Sequence, residues 1–224
     1  MSPFTRSTRY DVVAGFGAGG LLCAGLTHVP LWVVLASLAH LEGALAEAAG
    51  LYRRGLSVAP ADLPAGATVI SAYLYWGATQ TSKMCQGDEH LDKEVMFTPP
   101  GGQATAVAAE VCYCSPSPSY DMQLCRADVQ ALVDTPTGDY AVDELAAQVT
   151  NTDTANASFA VVLVFRADGL PQRRIGLYDG LLGLVQGVTP TTKLVFDNVN
   201  VTNPPQGDLT WYALEGDTEI GRAS

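Results

Sequence analysis

The feature that most constrains the fold is a series of short segments rich in β-branched and aromatic residues, separated by turn sequences. Thr68–Trp76 (TVISAYLYW) is the strongest of them, and both of its alternating faces are partly apolar, which predicts a central strand. Phe159–Phe165 (FAVVLVF) is apolar throughout, as expected for a strand buried on both sides. The other predicted strands are Glu94–Thr98, Ala104–Cys114, Tyr140–Leu145, Arg174–Tyr178, Lys193–Val201 and Leu209–Leu214.

Strands at this spacing, with no helical pattern of about 10–15 residues between them, predict an all-β fold. Composition agrees, because charged residues are only 16% of the chain while glycines (22) and prolines (13) are plentiful. We therefore expect residues 56–224 to form an antiparallel β-sandwich of the jelly-roll type. Cys125–Val133 (CRADVQALV) is the segment in this region that favours a short helix.

Residues 1–55 form a different region, an export signal or membrane anchor followed by a linker. Residues 12–41 contain no acid, lysine or arginine, Arg6 and Arg9 precede them, and Ala44-Leu45-Ala46 follows. A basic start, an apolar run and an A-x-A sequence make up an export signal. The run is longer than most cleaved signals, so a membrane anchor is the alternative, since about 20 apolar residues span a bilayer. We expect this segment to be helical and to make the chain's only membrane contact.

A glycine pattern in the same region points to another function. Gly15, Gly17 and Gly20 fit G-x-G-x-x-G, in which glycines let the backbone approach a pyrophosphate at the start of a helix. The dinucleotide-binding fold then needs that helix and, about 20 residues on, a strand that ends in an acid. Pro30 interrupts the helix, and Glu42 comes too late and follows no strand-like run. A nucleotide-dependent oxidoreductase is therefore the least favoured function.

The net charge is −11, and residues 1–46 contribute none of it. An acidic surface repels phosphate backbones, which excludes nucleic acid as the expected partner. Acidic surfaces also attract divalent cations, and Asp197, Asn198 and Asn200 carry the hard oxygen ligands that calcium prefers. Their spacing matches no defined calcium loop, so we predict no resident metal or cofactor and keep calcium as the alternative.

The chain has five cysteines, four of which lie between residues 85 and 125, while Cys23 lies in the apolar segment. Clustered cysteines in a strand-rich chain predict two disulfides and an oxidising compartment. A zinc site is the alternative, but it needs C-x2-C-like pairs, and the nearest approach is Cys112-Tyr113-Cys114. Three connectivities are open for the candidates, which are Cys85, Cys112, Cys114 and Cys125.

The sequence predicts no catalytic centre. His90 is the only histidine outside the apolar segment, so a Ser-His-Asp triad would have to use it, and its polar loop indicates a solvated side chain. Paired carboxylates hydrolyse glycosides, and the candidates here are Asp179, Asp197, Glu215 and Asp217. Most of these belong to turn sequences in which Asp and Gly have a local backbone role. The residues that we keep as candidates for a ligand-binding surface are Asp179, Asp197, Asn198 and Asn200.

Several strings resemble, in order, a family of bacterial cell-surface domains. They are Leu63-Pro64-Ala65-Gly66-Ala67-Thr68-Val69, Ala72-Tyr73-Leu74-Tyr75-Trp76-Gly77, Arg126-Ala127-Asp128-Val129, Gly138-Asp139-Tyr140-Ala141-Val142, Ser158–Phe165, Leu177-Tyr178-Asp179-Gly180 and Gly207–Asp217. The family is an uncharacterised extracellular β-sandwich domain found ahead of repeat or anchoring modules in large secreted surface proteins. The resemblance covers residues 56–217 and implies an adhesive or structural role without catalytic residues. It also implies that the chain is part of a longer surface protein.

Together these observations predict a non-catalytic adhesive or structural domain that is secreted or held at the cell surface. Its expected partners are cell-surface or matrix components, including glycans. The alternative is a carbohydrate-binding module or a glycosidase-like jelly roll, with aromatic side chains stacked on sugar rings. About half of the aromatic residues on alternating strands must face the core, so Trp76 and Trp211 are predicted to pack inside. The remaining candidates for stacking are Tyr73, Tyr75 and Tyr212.

Overall fold

The computed structural model describes residues 11–14, 20–27, 32–37, 54–58, 63–80, 84–116, 121–147, 157–170, 173–182, 192–195 and 207–213. They fall into two compact units, one within residues 32–170 and the other drawn from residues 1–31 and 171–224. The strands are β1 Asp11–Ala14, β2 Gly20–Thr27, β3 Trp32–Ser37, β4 Arg54–Val58, β5 Thr68–Gln80, β6 Glu94–Thr98, β7 Thr105–Ala108, β8 Val111–Pro116, β9 Asp121–Asp128, β10 Gly138–Asp143, β11 Ala157–Arg166, β12 Arg173–Tyr178, β13 Thr192–Val195 and β14 Gly207–Ala213.

The unit within residues 32–170 holds a five-stranded sheet of order β3-β11-β5-β9-β8 and a four-stranded sheet of order β4-β10-β6-β7. All of the strand pairs in both sheets are antiparallel. One continuous core includes Trp76 and Phe159 from the larger sheet and Phe97 and Tyr140 from the smaller one. The two sheets therefore pack face to face, and the prediction of an antiparallel β-sandwich is confirmed for this unit. The jelly-roll connectivity stays a prediction.

The middle of the larger sheet is apolar on both faces. Strand β11 lies between β3 and β5, and its residues from Ser158 to Phe165 are all buried, which confirms the prediction for FAVVLVF. Alternate residues of β5 face the shared core, whereas Tyr75 on the opposite face is also fully buried. The central position predicted for Thr68–Trp76 is confirmed by the pairing of β5 with both β9 and β11.

The other unit contains two small sheets. Strand β2 lies between β12 and β14, and β1 pairs with β13, all of them antiparallel. The strands predicted near residues 174–178 and 209–214 are therefore present, but they lie in these small sheets rather than in the sandwich. The domain boundary near residue 55 stays a prediction.

The apolar segment at residues 12–41 contains strands where the structure describes it. Strands β1, β2 and β3 lie there, and β3 pairs with β11 through six residues, from Trp32 opposite Phe165 to Ser37 opposite Ala160. The described residues of this segment are extended, and the Val and Trp residues of β3 suit that backbone. The helical character expected of the segment as a whole stays a prediction. Among the described residues, no helix is both long enough and apolar enough to cross a membrane. Export or anchoring by this segment stays a prediction.

Two predictions for secondary structure are wrong. The segment expected to form a helix begins in strand β9, and only Gln130–Leu132 forms a turn of 3-10 helix. The strand expected at Ala104–Cys114 is two strands, because the chain leaves one sheet for the other at Ala109 and Glu110. The backbone N–H of Ala109 donates to the carbonyl of Lys93, which directly precedes β6 of the smaller sheet. The backbone N–H of Glu110 donates to the carbonyl of Arg126 in β9 of the larger sheet.

Candidate functional site

The four clustered cysteines form two disulfides at the β8 edge of the larger sheet. Cys85 is bonded to Cys114, and Cys112 is bonded to Cys125. The prediction of two disulfides is confirmed, and the connectivity that spacing left open pairs the first cysteine with the third and the second with the fourth. We refer to these four residues as the disulfide cluster. None of them is a free thiolate, so the cluster is not a zinc site.

Strand pairing places three of the four sulfurs. Cys112 lies directly opposite Cys125 in the register of β8 and β9, with 4.1 Å between their Cα atoms. Such a short separation is typical of a directly facing antiparallel pair without hydrogen bonds between the two residues. Cys114 lies two residues along β8, so it shares a face with Cys112. Its partner Cys85 comes from a turn of 3-10 helix at Met84–Gln86.

A buried carboxylate holds this 3-10 turn against the sheet. Asp121 begins β9 and is only 5% exposed, and its Oδ2 accepts a hydrogen bond of 2.9 Å from the backbone N–H of Cys85. The neighbouring Met84 is 2% exposed. The turn is thus fixed by one disulfide, one charge-assisted hydrogen bond and one buried apolar side chain.

A second buried polar side chain of β9 links the two sheets. The Oε1 atom of Gln123 accepts from the backbone N–H of Asp92 at 2.8 Å, and its Nε2 donates to the Asp92 carbonyl at 3.0 Å. Gln123 is fully buried and belongs to the larger sheet, whereas Asp92 lies just before β6 of the smaller sheet. The side-chain amide of Gln123 therefore bonds to the Asp92 backbone as a neighbouring strand would, and so joins the larger sheet to the segment before β6.

The same carbonyl binds the largest core side chain. The indole Nε1 of Trp76 donates to the Asp92 carbonyl at 3.0 Å, so a ring that is 0% exposed has its single polar atom satisfied. The Sγ of Cys125, which carries no hydrogen in the disulfide, lies 3.6 Å from this oxygen. Trp76 is a packing residue, as predicted, and neither it nor the buried Tyr75 offers a face to a sugar.

The side chain of Asp92 connects this region to the segment after β10. Its Oδ2 accepts a hydrogen bond of 2.6 Å from the backbone N–H of Ala146, and Gln80 donates through Nε2 to the carbonyl of the same Ala146 at 3.0 Å. Burial raises the pKa of the Asp92 carboxyl above its ordinary value of 3.8, and hydrogen bonds from the backbone of Ala146 and Glu94 offset part of that rise. The charge of nearby Glu94 adds to the increase.

The face of the larger sheet that points away from the shared core carries an ion pair near the β8 edge. Arg126 forms an ion pair of 3.1 Å with Glu110, and its guanidinium lies 5.4 Å from the centre of the Tyr73 ring. Arg126 is 24% exposed at its side chain and Glu110 is 49% exposed, so solvent weakens the pair. Tyr73 is therefore engaged by a cation of its own chain.

Of the remaining predicted residues, the structure describes His90 and Asp179, which belong to different units. His90 is largely exposed and has Glu89 at 3.6 Å as its acidic neighbour. Asp179 is half-buried, directly follows β12 and lies in the other unit. The predicted positions that lie outside the described residues are Asp197, Asn198, Asn200, Glu215 and Asp217. No group of three His, Cys, Asp or Glu side chains among the described residues is arranged to hold a metal ion.

Parts of the glycine motif are described. Gly15 and Gly17 lie outside the described residues, and Gly20 begins strand β2. The dinucleotide motif requires a helix to start at this point, so the described geometry gives it no support.

Sequence reasoning missed Asp92, Asp121 and Gln123, which hold the cluster in place. A signal was available for two of them, because Asp121, Gln123 and Cys125 alternate and would share one face of a strand. Interpreting Cys125–Val133 as a helix concealed that alternation. Asp92 carries no such signal, since its contacts are made largely through its backbone.

Comparison of the chain with protein-family models, with curated proteins and with solved structures finds no significant match.

Proposed function

We propose that this chain is a non-catalytic domain of an exported bacterial surface protein, with a structural or adhesive role. The observation that carries the proposal is the pair of disulfides that joins β8, β9 and the 3-10 turn at Met84–Gln86. Structural disulfides form and persist outside the reducing cytosol. They support a location in the medium or at the cell surface, reached through the export or anchor segment at residues 12–41.

The buried polar groups support a structural role. The side chains of Asp92, Asp121 and Gln123 all bond to backbone groups of the same unit, which stabilises loops and sheet packing. A general acid or base must instead have its reactive atom within reach of a substrate. In the part of the chain that the structure describes, these side chains stabilise the fold through hydrogen bonds to its backbone.

The ordered resemblance of residues 56–217 to a surface-domain family supports the same role. Under this proposal the sandwich is a jelly-roll-like spacer or adhesive head, and its partners are cell-surface or matrix components. The acidic net charge of −11 favours solubility and disfavours anionic polymers as ligands.

The location can be tested on protein made by the native host. Cells are fractionated, and the chain is digested without reductant to map its disulfides and its mature N-terminus. We expect the Cys85–Cys114 and Cys112–Cys125 peptides in the medium or on the cell surface. Recovery in the cytosol with four free thiols would refute the proposal. A mature N-terminus after Ala46 identifies a cleaved signal and means that β3 is absent from the exported sheet; retention of residues 12–41 identifies an anchor.

Binding separates the adhesive role from the carbohydrate alternative. The purified chain is applied to immobilised matrix proteins and to a glycan array, with calcium and with a chelator. Saturable binding to a matrix protein that does not change with calcium is expected of an adhesive domain. Binding confined to glycans would favour the carbohydrate-binding module, and turnover of any glycan would overturn the non-catalytic assignment.

A further inference from the structure

The two disulfides have different surroundings. Cys112–Cys125 joins two strands that are also paired along all of β8. Cys125 is 0% exposed within the core, and the half-buried Cys112 packs against that core. Cys85–Cys114 joins an edge strand of the larger sheet to a short 3-10 turn, and both of its residues are half-buried. Thiol–disulfide exchange requires a thiolate to reach a sulfur atom, so access differs between the two bonds.

The segment that Cys85 anchors has few other attachments among the described contacts. Asp121 accepts from the Cys85 backbone, the side chain of Met84 is buried, and the exposed Asp88 pairs with Lys93 at 2.8 Å. An exposed ion pair adds little stability. Strand β8, in contrast, keeps its full pairing with β9 and its second disulfide when Cys114 is released.

We propose that Cys85–Cys114 is a thiol-exchange site, and that its reduction releases the segment Met84–His90 while the sandwich stays folded. Its substrate is a thiol, either a small molecule or a protein cysteine. One thiolate attacks a sulfur of the bridge, which forms a mixed disulfide and expels the other cysteine as a thiolate that takes a proton from water. A second thiolate attacks the external sulfur of the mixed disulfide and expels the remaining protein cysteine as a thiolate, which also takes a proton from water. Two thiols are thereby oxidised to one disulfide, and the bridge accepts the two electrons.

The exchange site is chemically distinct from the proposed adhesive function and does not depend on it. Reduction leaves the Cys114 thiol on β8, at the edge of the larger sheet. Cys114 is half-buried on this edge strand and is open to a mixed disulfide with another protein, whereas Cys125 is enclosed by core residues and Cys112, on the same strand, packs against them. The site therefore couples a covalent modification to the release of one surface segment.

The order of reduction tests the proposal on the full chain. The folded protein is incubated with increasing concentrations of reduced glutathione, free thiols are trapped with iodoacetamide, and each cysteine is located by peptide mapping. We expect Cys85 and Cys114 to be labelled at a glutathione concentration at least about tenfold lower than Cys112 and Cys125. Labelling of all four residues together, or of Cys112 and Cys125 first, would overturn the assignment.

Release of the segment is measured by limited proteolysis after Glu89 with a glutamate-specific protease. The double substitution Cys85→Ser and Cys114→Ser is expected to raise the cleavage rate at least about tenfold without reductant, while the β-sheet circular dichroism signal is unchanged. The control Cys23→Ser alters a cysteine outside the disulfide cluster and should leave the rate as it was. An unchanged rate in the double variant, or its failure to fold, would contradict a locally released segment.

Discussion

Gln123 and Asp92 are joined by two hydrogen bonds, one of 2.8 Å from the Asp92 N–H and one of 3.0 Å to its carbonyl. The amide side chain thus occupies the position that a neighbouring strand would take beside Asp92. Because Gln123 is fully buried, its removal leaves the N–H and C=O of Asp92 without their side-chain partner. This pair is a polar link between β9 of the larger sheet and the segment that leads into β6 of the smaller one.

Substitution of Gln123 by Ala is expected to lower the free energy of unfolding by about 2–4 kcal/mol, since two hydrogen bonds are lost and a buried space is left. Urea unfolding measures the change as a lower midpoint at unchanged slope. The control is Gln130→Ala on an exposed side chain, for which we expect a change within about 0.5 kcal/mol. Equal midpoints for the two variants would show that the link between the sheets adds no stability.

The raised pKa of Asp92 makes one contribution to stability depend on pH. The folded chain binds this proton more tightly than the unfolded chain does, where the pKa is near 3.8. The added stability is complete below that value and disappears as the pH rises through the higher folded pKa. Asp92→Asn removes the titration and keeps an oxygen that can accept from Ala146. We therefore expect the variant to be at least as stable as the parent chain at pH 7. As the pH falls toward 4, the parent chain should gain stability relative to the variant.

Urea unfolding of both proteins at a series of pH values between 7 and 4 provides the measurement. Gln130→Ala, which changes no titrating group, should differ from the parent chain by a constant amount over the same range. A constant difference for Asp92→Asn as well would rule out a folded-state pKa above 3.8.

Tyr140 is fully buried, stacks on Phe97 with 6.1 Å between ring centres, and donates its hydroxyl to the Pro136 carbonyl at 2.8 Å. Tyr140→Phe keeps the ring and loses the hydrogen bond, so we expect a loss of about 1–2 kcal/mol in the free energy of unfolding. Thermal unfolding measures it, with Tyr113→Phe on a half-buried strand position as the control. Burial also raises the pKa of Tyr140 above its ordinary value of 10, so the advantage of Tyr over Phe should shrink as the pH exceeds 10.

Gly138 begins β10 with a φ of 123°, which L side chains rarely adopt, and an added Cβ would lie 2.9 Å from the Cβ of Pro100. Gly138→Ala is expected to cost about 2–3 kcal/mol, from backbone strain and from contact with the rigid proline ring. Gly66 has a φ of 75° and no heavy atom within 4 Å of the added carbon, so Gly66→Ala should cost only the strain, about 1 kcal/mol. Equal losses, measured by urea unfolding, would show that Pro100 moves aside freely.

The central strands could be predicted from sequence because their composition leaves few alternatives. A run such as Phe159–Phe165 can be satisfied only where both faces are buried, and β11 lies in that environment. Strand β9 could not be predicted in this way. Its core-facing residues Asp121 and Gln123 are polar, while Met122 and Leu124 on the other face are buried too, so the alternation of polar and apolar residues would assign the wrong face to the core.

Those two polar residues are tolerated in the interior because distant backbone groups bind them. Asp121 bonds to Cys85, which is 36 residues away in the chain, and Gln123 bonds to Asp92, which is 31 residues away. A local pattern cannot show contacts of this range. The cysteines could be recognised as disulfide partners from their clustering, but only the register of β8 and β9 places Cys112 opposite Cys125.

The connectivity of the disulfide cluster has a mechanical consequence. In a chain pulled from both ends, force passes from Cys85 to Cys114, along three residues of β8, and from Cys112 to Cys125, so the rest of residues 86–124 carries no load. Without the two disulfides those residues would extend by roughly 3.4 Å each, so the bridges prevent about 120 Å of contour length from extending under force. A single-molecule extension trace should lengthen by that amount when the bridges are reduced, and until then this part of the sandwich resists stretching through covalent bonds.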